Sequence, residues 1–311
     1  MKRIITMEQK KITFEEGVKK FLENRKVRGL AEKTIKSYDA VFKAVYKYIP
    51  YDTDLVTITE EDINKAIVSM RESGLSPNTI QSYTRSLKAF FRYMSEEDIC
   101  DIGIKLYKGE ETVKDTYTDA ELRRLLKKPN LKTCNFCEYR NWVIINMLLN
   151  SGMRAATLRS ILIKDVNIDN KTIVYRHNKN KKIQVVPLCN EMALILREYM
   201  RIRNGKEDEV LFPNEFNEPL TENALKLAIK KYNNRRGVSK TSIHLFRHSF
   251  AERFIQNGGN PFELQKILGH STLEMTKHYC RLYDCTLVKK FDSISPLSLL
   301  TASKGNSIKI R

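Results

Sequence analysis

Two arginines, a group of histidines and a tyrosine hold the chemistry that this sequence offers. Arg154 follows Gly152-Met153 directly after a long apolar stretch. A cation there is costly unless something anionic or polar meets it. His244-Leu245-Phe246-Arg247 puts two polar groups at i and i+3, on one face of a helix. The chain has five histidines, and four of them, His244, His248, His270 and His278, fall within a short stretch near the C-terminal end. One chemistry that this set serves is phosphoryl transfer. It needs paired guanidiniums on the non-bridging phosphate oxygens, acid and base groups for the entering and leaving oxygens, and a nucleophile. Arg154 and Arg247 supply the pair, and the segment LGHSTLEMTKHYCRLY supplies His270 and then Tyr279.

Two other readings compete for the same residues. Arg154 can act as a helix C-terminal charge that satisfies the last carbonyls. His244 and His248 are spaced i, i+4 as on a zinc helix, with Cys280 and Cys285 as further thiolates, which outlines a zinc hydrolase. Against zinc, position 245 is Leu where H-E-x-x-H needs Glu, and Cys134-x-x-Cys137 has no second pair nearby.

The elements that must position these groups are mostly helices. Thr13 and Glu16 form a capping box ahead of Phe14, Val18, Phe21 and Leu22, which predicts a helix from Phe14 to about Arg25. A second helix is expected after Thr34. An internal echo follows: Gly29-Leu30-x3-Thr34-Ile35-x-Ser37-Tyr38 recurs as Gly74-Leu75-x3-Thr79-Ile80-x-Ser82-Tyr83. Two copies are too few for a solenoid, which needs at least ~3, and read as paired helical hairpins of one small all-α domain. Residues 101–117 lose the periodicity and read as a linker. Helical signals resume at Thr118 with its capping partner Glu121, and the apolar run Trp142–Leu149 closes at Ser151-Gly152, as a buried helix stopped by glycine would. TIVY and IQVV, flanking the polar tip HNKNKK, read as a β-hairpin. Helices are expected again at Glu191–Arg203, Glu222–Asn234, His244–Asn257 and Pro261–Leu268.

Composition narrows the partners. The 311 residues carry 55 Lys+Arg against 37 Asp+Glu, a formal net charge of +18, with 41% hydrophobic residues. That excludes global disorder, suits two domain cores and favours a polyanion partner, nucleic acid first. No apolar run reaches the ~18 residues of a membrane span, and the N-terminus lacks a signal-peptide core, so a cytoplasmic location is expected, at the nucleoid when bound to DNA. Six cysteines, scattered over the chain, are expected as thiols.

Taken together, Arg154 in SGMR, Lys179 in the hairpin tip before VVPL, His244-x-x-Arg247, Leu268-Gly269-His270 and Tyr279 resemble the tyrosine recombinase, or phage integrase, family. The resemblance covers nearly the whole chain, because a helical domain with the doubled Thr-Ile-x-Ser-Tyr pattern precedes that family's catalytic domain. It implies a mainly α fold with a small β-sheet: a SAM-like helical core-binding domain at 1–100, a linker at 101–117, a mixed α/β catalytic domain at 118–283, and a segment 284–311 that either docks on a neighbouring protomer or folds back on its own domain. With the first helical signal at Thr13, no arm-binding domain is expected ahead of the core.

The resemblance further implies Tyr279 as the nucleophile on the scissile phosphate, with Tyr283 the lesser candidate. Arg154 and Arg247 become the phosphate clamp, and Lys179 the general acid for the leaving 5′-hydroxyl, with Lys181 and Lys182 on the same tip. His244 becomes a general acid/base and His270 a hydrogen-bond donor to the phosphate. No metal or other cofactor is implied. The implied partner is double-stranded DNA, engaged by a homotetramer on two recombining sites and by a monomer or dimer off DNA. In one respect the sequence departs from the family. Thr157 stands where the family commonly has an acid that buttresses the first arginine, and Asp165 is a candidate substitute. The contrasting expectation is a DNA-binding or architectural protein with the same basic surfaces and no catalysis.

Overall fold

The computed structural model describes residues 11–107, 115–176, 183–270, 272, 273 and 276. The chain divides into two compact units, Met1–Val113 and Lys114–Arg311. Among the described residues, no helix is long and apolar enough to cross a membrane.

The first unit contains α1 (Phe14–Val27), α2 (Glu32–Val45), α3 (Glu60–Glu72) and α4 (Pro77–Glu96). Capping boxes at Thr13/Glu16 and Thr59/Asp62 start α1 and α3, while Ser76 with Pro77 starts α4. α2 begins at Glu32, behind Ala31, rather than after Thr34. The internal echo explains why. Gly29 and Gly74 both take a left-handed conformation (φ 71° and 74°). In each copy the following leucine N–H reaches back five residues, Leu30 to Arg25 O and Leu75 to Met70 O, closing a Schellman turn. The next helix starts two residues later, so the repeated segment is a helix stop followed by a helix start. Thr34 and Thr79 then bond back to Ala31 O and Ser76 O. Phe14, Phe21, Phe42 and Phe90 are buried and meet mainly edge to face at the centre of this unit.

The second unit contains α5 (Asp119–Leu126), α6 (Phe136–Ser151), α7 (Ala155–Ser160), β1 (Val166–Asn167), β2 (Thr172–Tyr175), β3 (Gln184–Pro187), α8 (Asn190–Arg203), α9 (Glu222–Arg235), α10 (Ile243–Gln256) and α11 (Pro261–Leu268). The hairpin is antiparallel, with Tyr175 opposite Gln184, and β1 adds a third strand on the far side of β2. β1 and α7 are absent from the sequence expectation because two and six residues are too few to establish a period. α6 is apolar around nearly its whole circumference and runs through the core, with α10, α8, α9 and α5 packed on it.

A network of polar bonds holds α10 and the residues just before it to the start of α5 and the residues that precede it. Tyr117 N donates to Ser249 Oγ at 2.9 Å, and the buried Tyr117 hydroxyl bonds Lys240 O and accepts from Asn233 Nδ2 at 3.0 Å. Arg253 clasps Tyr117 O and Asp119, while Lys240 reaches Thr116 O and Glu121. The Tyr117 and Phe246 rings stack at 4.4 Å. Replacing Tyr117 by Phe keeps the ring contact and removes the hydroxyl. Urea unfolding of the second unit is expected to show a loss of about 1–2 kcal/mol. An unchanged midpoint and slope would mean that the clasp does not carry load.

Candidate active site

Both arginines lie where two helices end. α6 stops at Gly152, which is left-handed (φ 59°) and donates its N–H to Leu148 O. A Cβ at Gly152 would lie 2.6 Å from Phe250 and 2.7 Å from Leu268, so only glycine suits this turn. Two residues on, Arg154 occupies the N-cap of α7. α11 stops at Gly269 (φ 64°), and the His270 N–H returns to Gln265 O in a Schellman turn like those at Gly29 and Gly74. That turn fixes the backbone of His270.

The guanidiniums join these two ends. Arg247, buried on α10, donates from Nη1 to Gly152 O at 2.9 Å and from Nη2 to Leu268 O at 3.0 Å. Arg154 donates from Nη1 to the same Leu268 O and from Nη2 to Gly269 O, both at 3.4 Å. One carbonyl therefore receives both side chains. Helix C-termini carry about half a negative charge each, and here two of them face two cations. The helix-end reading of Arg154 thus holds in part, although the carbonyls belong to α11 and not to the preceding helix.

Among the described residues Arg154 has no acidic partner. Thr157 is buried in the first turn of α7. Asp165, the candidate substitute, is buried but binds elsewhere: it accepts from Arg176 Nε at 2.6 Å and from the Leu162 N–H at 3.0 Å. It does not buttress Arg154. Burial lowers the Arg154 pKa from its ordinary value, yet a guanidinium stays protonated at any physiological pH.

His270 stands beside the pair. Burial, followed by the charges of Arg247, Arg154 and His248, pushes its pKa down to about 4. The ring is therefore neutral at pH 7, with Nδ1 3.0 Å from Thr276 Oγ1. His244, exposed in the first turn of α10, lies one turn before Arg247. The structure thus brings Arg154, Arg247 and His270 together, with His248 close enough to act on His270. Lys179, Lys181, Lys182, Tyr279, Tyr283, Cys280, Cys285 and the segment 284–311 lie outside the described residues, as does part of the 101–117 linker. Sequence reasoning overlooked Gln184, whose Nε2 donates to Lys266 O and to Ile267 O at the end of α11. A signal was present: in the alternation Ile183, Gln184, Val185, Val186, the polar Gln184 shares the inward face with the buried Val186.

The His270 surroundings make a measurable prediction. Because its folded pKa lies below the ordinary 6.5, the folded chain binds fewer protons than the unfolded chain between about pH 4 and 6.5. This group's contribution to stability is therefore complete above pH 6.5 and falls as the pH drops through that window. An NMR titration of the free protein is expected to place the His270 midpoint near 4, and bound sulfate should raise it by offsetting the two guanidiniums. A midpoint near 6.5 would show that His270 does not sense them.

Known proteins resemble this chain in family and in fold. The phage integrase family matches residues 116–285, and the phage integrase N-terminal SAM-like domain matches residues 18–101. Tyrosine recombinase XerA of Saccharolobus solfataricus is 32% identical over 152 residues, covering 49% of this chain and 49% of that protein. Tyrosine recombinase XerD of Staphylococcus haemolyticus is 30% identical over 199 residues, 62% of this chain and 66% of that protein. The matches thus span from about half to just under two thirds of the length of these curated relatives. Among solved structures, the Tn1549 transposon integrase in complex with transposon right end DNA superposes with a TM-score of 0.71 at 22% identity, over 86% of this chain and 94% of that one. The lambda integrase tetramer bound to a Holliday junction superposes with a TM-score of 0.71 at 17% identity, over 87% and 78% of the two chains. These likenesses establish a shared fold. The first family match covers more than half of the chain and contains both arginines and the histidine they act on, so the chain belongs to the phage integrase family.

Proposed function

We propose that this protein is a site-specific DNA recombinase that cuts and rejoins strands through a 3′-phosphotyrosine intermediate. The observation that carries the reading is the convergence of Arg154 and Arg247 on Leu268 O with His270 beside both. Two fixed guanidiniums held by carbonyls form a site for one phosphodiester, because the carbonyl oxygens orient the cations without cancelling their charge as a carboxylate would. The names of the curated relatives and the DNA held by the solved neighbours support duplex DNA as the substrate.

In this reading Tyr279 Oη attacks the scissile phosphorus, the P–O5′ bond breaks, and the 5′-oxygen leaves with a proton from Lys179. A phenol has a pKa near ~10, so it gains nucleophilicity from the adjacent cations and from His244 as general base. Arg154 and Arg247 neutralise the charge that builds on the non-bridging oxygens, a task that other phosphoryl-transfer enzymes give to Mg²⁺. His270, neutral at pH 7, offers an N–H to the same phosphate. The phosphotyrosine conserves the energy of the broken phosphodiester, so a 5′-hydroxyl from a second duplex reverses the step without ATP. Residues 1–100 would serve as the core-binding domain, 118–283 as the catalytic domain, and 284–311 would dock on the next protomer of a tetramer that joins two sites.

A duplex nicked beside the scissile phosphate, built from the DNA flanking the gene or selected from a randomised library, tests this. The broken strand end diffuses away and traps the covalent adduct, which a non-catalytic binding protein never forms. Tyr279→Phe is expected to abolish the adduct while DNA affinity stays within about two-fold, since only the attacking hydroxyl is lost; an adduct from the Phe variant would overturn the assignment. Arg247→Ala is expected to slow cleavage by roughly 10²–10³, and Arg247→Lys to restore little, because a point charge cannot reproduce the guanidinium fork. Wild-type rates in the Lys variant would reduce the clamp to simple charge.

A further inference from the structure

We infer that Gln184 is a positioning residue for the arginine clamp: it ties the strand hairpin to the end of α11, so that the carbonyls facing Arg154 and Arg247 are held in place. The inference rests on the phosphoryl-transfer reading above. The last carbonyls of a helix have no partner within it. At the end of α11 they are shared out in order. Lys266 O accepts from the Gly269 N–H and also from Gln184 Nε2, Ile267 O accepts from Gln184 Nε2, Leu268 O accepts from Arg247 and Arg154, and Gly269 O accepts from Arg154. Gln184 thus fixes the two carbonyls immediately before the two that hold the cations. Only an NH₂ group can face two carbonyls at once, which sets the orientation of the amide. Its Oε1 then lies 2.8 Å from where a Cβ on Gly269 would stand, so side chain and turn fit against each other.

The opposite partner of Gln184 makes this contact a junction. Gln184 pairs across the hairpin with Tyr175, and paired residues of antiparallel strands project to the same face. Tyr175 is buried beside Ser151, at the end of α6, and the charge of Arg247 acts on its hydroxyl. A single rung of the sheet therefore meets both helix ends that the arginines join, Tyr175 at α6 and Gln184 at α11. Gln184 acts through the carbonyls, and a small displacement of a preorganised donor is enough to slow a reaction by up to about 10²-fold.

The test uses the full chain and a nicked duplex that wild type cleaves. Gln184→Met keeps the length of the side chain and removes the donor. Gln184→Arg restores donors that can reach a helix C-terminus, with a charge that suits it. The Met variant is expected to slow single-turnover cleavage about 10- to 100-fold, with DNA affinity within about two-fold of wild type and an unchanged urea midpoint. Its His270 titration should move up from about 4 towards 6.5 as the cations lose their fixed position. The Arg variant should recover cleavage to within about three-fold of wild type. A folded Met variant that cleaves like wild type overturns the inference, and so does an Arg variant that folds yet stays as slow as Met. Should the Met variant not fold, the Arg variant and its His270 midpoint decide alone: recovery with an unmoved midpoint supports the inference, and a slow rate refutes it. A wild-type chain that forms no adduct on any duplex refutes the recombinase reading itself, a result distinct from these.

Discussion

Two guanidiniums held close together need acceptors, and in this protein the acceptors are backbone carbonyls at two helix ends. Most of the second unit's architecture follows from that need. α6 and α11 must both terminate at the same place, which their left-handed glycines ensure. α10 must lie against α6 so that Arg247 reaches Gly152 O, and the clasp around Tyr117 holds its first turns there. Arg154 must leave the helix before it points back, and it does so as the N-cap of α7.

The choice of carbonyl over carboxylate matters for charge. A salt-bridged arginine presents a nearly neutral pair to an incoming anion. An arginine held by carbonyls keeps its full charge, tempered only by the partial charges of the helix ends. At an effective dielectric of about 20, a unit charge 4 Å from another interacts by about 4 kcal/mol, so two such cations give a phosphodiester a deep well to enter. Burial, and after it the charges of Arg247 and Arg154, lowers the pKa of His270, so the ring stands beside the pair without adding a third positive charge. Thr157, where an acid was expected by resemblance, is consistent with this economy: the first arginine is oriented by Leu268 O and Gly269 O instead.

Much of this framework was legible in the residues. The capping boxes at Thr13 and Thr118, the glycine stop after Ser151 and the span Pro261–Leu268 are local signals, and local signals are what a sequence states directly. The start of α2 was misread because Thr34 looks like a cap, whereas the Schellman turn at Gly29 had already begun the helix at Glu32. Asp165 was misassigned for a different reason: its partner, Arg176, follows the first strand pairing and cannot be chosen from composition. Arg154, Arg247 and His270 could be selected by type and order. Their shared carbonyl could not, because it depends on α11 returning to α6 across more than a hundred residues.

Arg154 and Arg247, in the proposed reaction, act by charge on the non-bridging phosphate oxygens. A duplex carrying a methylphosphonate at the scissile position tests it most directly, because one non-bridging oxygen and its negative charge are replaced by a neutral methyl group. Single-turnover cleavage should then be compared for wild type and for Arg154→Ala on both substrates. The alanine variant is expected to recover at least about ten-fold on the methylphosphonate relative to its deficit on the phosphate, since the charge it no longer meets is gone. An equal deficit on both substrates would contradict it.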